Sequence, residues 1–138
     1  MSDEASSTVR VPAASPANMR RVCIESPLAG DVERNTRYAE ACMLHSLELG
    51  ESPFAGHLLY PRVLDDERPE HRQFGIAAHL AWMCAAHAVV AYIDYGVTDG
   101  MSKALHLASE MLIGVEYRTL GPDWATRFAP TPTAGARR

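Results

Sequence analysis

Ala88-Val89-Val90-Ala91-Tyr92-Ile93 carries no charge and no polar alternation. A strand with one wet face alternates apolar and polar residues, so an unbroken apolar run predicts a strand buried on both faces. Such strands sit at the centre of parallel sheets. Parallel neighbours cannot be joined by a hairpin, so the flanking chain must supply crossovers, normally helices.

The rest of the chain meets that demand. Arg21 to Glu25 is short and partly β-branched, and predicts a first strand. A helix follows from the N-cap Asp31 to about Leu49, with Val32, Ala39, Met43 and Leu47 near a 3.6-residue period and Gly50 as its stop. Ser52 to Leu59 predicts a second strand, broken at Tyr60-Pro61. Pro69 to Ala86 predicts a second helix, apolar on nearly every side in its lower half and so buried all round, in part by another subunit. After Ala88–Ile93 a third helix starts near Asp99, its natural N-cap, with Met101, Ala104, Leu105, Ala108 and Leu112 on one stripe. Gly114 to Leu120 closes the series as a fourth strand. This β-α-β-α-β-α-β order predicts a three-layer α/β sandwich around a parallel sheet with right-handed crossovers.

At 138 residues the chain is long enough for one domain. Residues 1–19 and 122–138 are rich in Ala, Pro, Ser and Thr without apolar periodicity, which predicts tails around an α/β domain at 20–121. A net charge of −4 offers no basic face for nucleic acid. Cys23, Cys42 and Cys84 are too widely spaced for a zinc motif or a disulfide framework, which points to a reducing, cytoplasmic setting. Phe74 to Ile93 is long enough to span a bilayer, but His79, His87, Gly75 and its many alanines argue against one.

In a parallel sheet, ligands bind beyond the C-terminal strand ends. Three loops converge there: Ser26–Asp31, His57–Asp66 and Asp94–Met101. The first runs from strand through Ser26-Pro27-Leu28-Ala29-Gly30-Asp31 into a helix, and backbone N–H groups at such a corner suit a phosphate or carboxylate. The bland alternative is a strand–helix corner that binds nothing. Ser26-Pro27-Leu28-Ala29-Gly30-Asp31-Val32-Glu33-Arg34-Asn35, then His57-Leu58-Leu59-Tyr60-Pro61, then Gly100-Met101 entering a helix, together resemble the nucleoside 2-deoxyribosyltransferase superfamily. Within it they resemble an uncharacterised branch common in phage and bacterial genomes. The resemblance spans Arg21 to Leu120. It implies a flavodoxin/Rossmann-like sheet of four to five mainly parallel strands, a nucleoside or nucleotide ligand, and a homodimer or higher homo-oligomer through the second helix.

The same resemblance implies a reaction that this chain departs from. Enzymes of the superfamily carry Gly-x-x-x-Glu-x-x-x-Ala on the third helix, the glutamate attacking the sugar C1′. Here the run is Gly100-Met101-Ser102-Lys103-Ala104-Leu105-His106-Leu107-Ala108, with Ala104 in the nucleophile position. The second-helix pattern Asp-Leu-x-x-Leu-x-x-Ala-Asp is met by His79-Leu80-Ala81-Trp82-Met83-Cys84-Ala85-Ala86-His87, so both aspartates read as histidine. An alanine cannot hold a glycosyl intermediate.

Two functions follow. One is a nucleoside- or nucleotide-binding module without glycosyl transfer. The other is an N-glycosidase or deoxyribosyltransferase using a displaced carboxylate, with Asp94 and Asp99 as the catalytic candidates. The ligand-binding candidates are Ser26, Pro27, Leu28, Gly30, Asp31, Asn35, His57, Tyr60, Gly100 and Met101. Asp31 serves equally as a plain N-cap, and His57 as a loop hydrogen-bonding group. No cofactor is called for. A metal is set aside because His71, His79 and His87 do not stack on one helix face and no Cys or carboxylate lies at ligand spacing.

Overall fold

The computed structural model describes residues 15–129. Nine elements follow one another: β1 (Arg21–Glu25), α1 (Val32–Glu48), β2 (Ser52–Phe54), α2 (Gly56–Leu59), α3 (Pro69–Cys84), β3 (Ala88–Tyr92), α4 (Asp99–Glu110), β4 (Gly114–Arg118) and α5 (Trp124–Arg127), with 3-10 turns at Pro16–Asn18 and Tyr60–Arg62. The strands form one parallel sheet in the order β2-β1-β3-β4. All five residues of β3 are buried, as its composition demands.

Side-chain alternation along β1 divides the interior. Val22 and Ile24 join Tyr38, Cys42, Val90, Tyr92, Trp124 and Phe128 beneath α1 and α5. Cys23 joins Met83, Val89, Ala104 and Ala108 beneath α3 and α4. Chain order reverses between β1 and β3, the two central strands. The loops leaving them diverge at that switch point, which is where doubly wound sheets open a crevice.

Local chemistry explains the boundaries. Asp31 caps α1 by accepting from Arg34 N–H (3.1 Å), and Gly50, at φ +84°, takes the left-handed turn that ends it. Several expectations are corrected. The second strand stops at Phe54 rather than Leu59; Gly56–Leu59 turns into α2, because a short apolar run suits helix and strand alike. Thr98, not Asp99, caps α4: its Oγ1 accepts from Met101 N–H at 3.2 Å. Leu112 lies beyond the helix, 92% exposed. Residues 122–129 are part of the fold, with Trp124 and Phe128 buried against α1's side of the sheet; residues 1–14 and 130–138 of the expected tails lie outside the described residues.

The second helix also differs from expectation. Within the single chain only Met83 of α3 is buried, while Phe74, Ile76 and Trp82 are each more than half exposed. The candidate membrane span divides into α3 and β3, and no described helix is long and apolar enough to cross a membrane.

Candidate functional site at the end of strand β1

Glu25 is the last residue of β1 and pairs in register with Ala91 of β3. Parallel partners point to the same face, so the small Ala91 leaves room beside a carboxylate that is itself 6% exposed. Two positions earlier, Cys23 faces the same way. α3 brings His79 to both: its Nε2–H donates to Glu25 Oε2 at 2.6 Å, and Cys23 Sγ lies 3.7 Å from the same nitrogen. Phe54 of β2 stacks on the imidazole with centroids 6.0 Å apart. Gly56 closes the other side, where an added Cβ would come within 2.6 Å of His79 Nδ1. The glycine is therefore required for this ring position. Nδ1 has no hydrogen-bond partner.

A second polar pair adjoins the first. Ser26 Oγ and His57 Nε2 are hydrogen-bonded at 2.7 Å, joining the β1 exit to α2. Burial, with His79 close by, lowers the His57 pKa to about 4, so its imidazole is neutral near pH 7 and can accept a proton from a hydroxyl. His57 also borders a hollow lined by Thr36, Glu40, Leu58, Pro61 and Arg62. Another hollow, between the start of β1, β2 and Trp82, lies at the opposite strand ends.

The first loop is held from below. Asn35 is buried and donates to the carbonyls of Leu28 (3.1 Å) and Ala29 (3.0 Å), while its Oδ1 accepts from Arg34. Its amide is occupied in shaping the turn. Gly30 has φ +100° and open space around it, Pro27 is buried, and Leu28 and Asp31 are exposed. Tyr60 packs its ring near Phe54 at 6.2 Å. Gly100 is exposed in the first turn of α4, and Met101 is buried beneath it.

The two candidate catalytic carboxylates lie elsewhere. Asp94 accepts from Tyr38 O–H and from the backbone N–H of Leu120 (2.8 Å) and Gly121 (2.9 Å), on the α1 side of the sheet. Burial opposes its ionisation, but these hydrogen bonds outweigh burial and hold the carboxyl below the usual aspartate range. Asp99 is almost fully exposed and pairs with Lys103 at 3.4 Å. Ala104 is buried under α4. The polar groups that do meet at the β1 end are Ser26, His57, Glu25 and His79, with Cys23 behind them. Glu25 carries one signal legible in the sequence: a carboxylate closing an apolar strand is rarely buried without a partner. That partner, 54 residues away, is not legible locally.

Comparison with known proteins adds a family and a fold. The model of a domain of unknown function, DUF7768, matches residues 20–118, and the chain belongs to that family. Among solved structures, the 2-deoxyribosyltransferase of the psychrotolerant bacterium Bacillus psychrosaccharolyticus aligns with a TM-score of 0.62 at 14% identity, over 74% of this chain and 74% of that one. That protein is described as a biocatalyst for the synthesis of nucleosides. No curated protein matches in sequence. The likeness establishes the α/β fold expected from the order of elements.

Proposed function

We propose that this DUF7768 member binds a nucleoside or nucleotide beyond the C-terminal ends of β1 and β3 and does not carry out the usual glycosyl transfer. The observation that carries the reading is the shared fold with a 2-deoxyribosyltransferase, combined with polar groups gathered at the switch point of the sheet. Ser26 and Gly30, on the loop after β1, and His57 and Gly100, in the first turns of α2 and α4, would surround the ligand. Ala104 stands where the resemblance places the attacking glutamate. Asp94 is engaged by three hydrogen-bond donors on the α1 side of the sheet and Asp99 is almost fully exposed beside Lys103, so neither is among the polar groups gathered at the end of β1.

Nucleosides and their 5′-monophosphates are expected to raise the melting temperature by mass action, the increase growing with the logarithm of ligand concentration. Chromatography of the same mixtures is expected to detect no free base. Release of base by the purified chain would overturn the binding-only reading; no shift with any of these ligands would remove the nucleoside itself.

Self-association through α3 belongs to the same proposal. Phe74, Ala77, Ala81, Trp82 and Ala85 form an exposed apolar strip that continues into the groove beside Pro53 and Phe54. A single chain rarely leaves such a strip wet. Sedimentation is expected to give a dimer or larger species that Trp82→Glu dissociates; a monomer at high micromolar concentration would exclude it.

A further inference from the structure

Cys23, Glu25 and His79 each offer one donor atom, and these atoms all lie within 4.8 Å of one another. We propose that they bind one divalent transition-metal ion of the zinc type, with a fourth position left for water or an incoming ligand. A thiol, an imidazole and a carboxylate form the mixed donor set that suits zinc and its neighbours; magnesium or calcium would call for oxygen donors alone. In tetrahedral zinc sites an imidazole nitrogen and a thiolate sulfur stand roughly 3.5 Å apart, and His79 Nε2 and Cys23 Sγ are already at 3.7 Å. The Nε2–Oε2 contact of 2.6 Å would open to roughly 3.3 Å, a movement below 1 Å.

The surroundings are those of a prepared ligand set. Phe54 and Gly56 fix the His79 ring from two sides, and orientation of a ligating imidazole by its neighbours is what metal sites require. Cys23 and Glu25 are fixed by the central sheet. On binding, the Cys23 thiol proton leaves to solvent and the imidazole proton moves from Nε2 to Nδ1. Nδ1, which has no partner among the described residues, takes up that proton as a buried N–H without an acceptor, a cost that the metal bonds must exceed. Thiolate, carboxylate and divalent ion then sum to zero charge, which suits a buried position. Without an ion, burial pushes the thiol pKa up and keeps it protonated; coordination reverses that preference.

The test is a cobalt(II) titration of the reduced, metal-free full chain, with no nucleoside present, so that it stands or falls apart from the nucleoside reading. One equivalent is expected to generate thiolate-to-cobalt absorption that zinc then displaces. Cys23→Ser should abolish it, Cys84→Ser, at the exposed thiol, should leave it intact, and Glu25→Gln should weaken cobalt binding at least about tenfold. Glu25→Gln keeps an acceptor for His79 and so decides the matter if Cys23→Ser does not fold. Absence of the band, its survival in Cys23→Ser, its loss in Cys84→Ser, or an unchanged affinity in Glu25→Gln would each overturn the site.

Discussion

Asp94→Ala is expected to lower the unfolding free energy by about 3–4 kcal/mol, since hydrogen bonds to a charged acceptor contribute about 1.5–3 kcal/mol each. For a domain of this size that corresponds to a fall of roughly 10–15 °C in melting temperature. Three donors converge on the carboxylate: Tyr38 O–H and the amides of Leu120 and Gly121. Tyr38 O–H in turn accepts from the Asp94 amide at 3.0 Å. Removing the side chain strands two backbone N–H groups and a buried phenol, and frees the chain after β4 from the end of β3. Asp94→Asn should be nearly as damaging, because its amide would point a donor at one of those donors. The linkage has a definite sign. A carboxyl held below its unfolded value contributes stability that is complete above the ordinary aspartate range and is lost as pH falls through the lower folded value. Wild type should therefore lose stability faster than Asp94→Ala between about pH 5 and about pH 3. Urea titrations across that range measure both effects. A stable Asp94→Ala that had lost only ligand binding would restore Asp94 to the site.

Arg118→Ala is the second large effect, about 3 kcal/mol, because it leaves a mostly buried carboxylate without its main partner. Arg118 Nη1 and Nη2 donate to Glu51 Oε1 and Oε2 at 3.0 and 2.7 Å, and Nη1 also reaches Tyr92 Oη at 3.0 Å. Ser46 O–H (2.7 Å) and Arg20 (3.0 Å) complete the shell of Glu51. Arg20 also pairs with Glu116. The network links residues of β4, β3 and α1 to the residue that precedes β2, so it joins both edges of the sheet. Arg118→Lys should recover only part of the loss, since an ammonium cannot reproduce the two-pronged contact. Replacing the pair together, as Arg118→Met with Glu51→Leu, should recover most of it, because the desolvation cost disappears along with the attraction. A double-mutant cycle in urea separates the terms. A loss under about 1 kcal/mol for Arg118→Ala would reduce the network to an ordinary surface pair.

Much of the architecture follows from residues close in sequence. Arg21–Glu25 is a strand in both the pattern and the fold, and Asp31 caps α1 where its side-chain chemistry places it. Gly50 stops that helix for a reason visible in one residue, its tolerance of positive φ. The errors fall where local signals are weak. Gly56–Leu59 is a four-residue helix within an apolar run, and Trp124–Arg127 is another in a segment without period. Both are held by packing rather than by propensity, which is too small over four residues to decide a conformation.

The site divides along the same line. Where a candidate site would lie was legible, because the switch point of a parallel sheet follows from strand order and the loops at the strand ends follow from turn chemistry. Which polar groups meet there was not. Asp94 and Asp99 are carboxylates on a strand-end loop, yet one is turned towards Tyr38 and the other to solvent. Glu25 and His79 lie 54 residues apart, and Ser26 and His57 lie 31 apart.

From its sequence alone this protein is a parallel α/β sandwich with an alanine, Ala104, on the helix that follows its central strand. Those properties rest on hydrophobic period, capping and residue identity, all local. The grouping of Cys23, Glu25 and His79, and the use of Asp94 as a tie between β3 and the chain after β4, were decided only in the tertiary structure. They depend on strand register and on the roll of α3 against the sheet, which are set by the packing of the whole core and by no single stretch of chain.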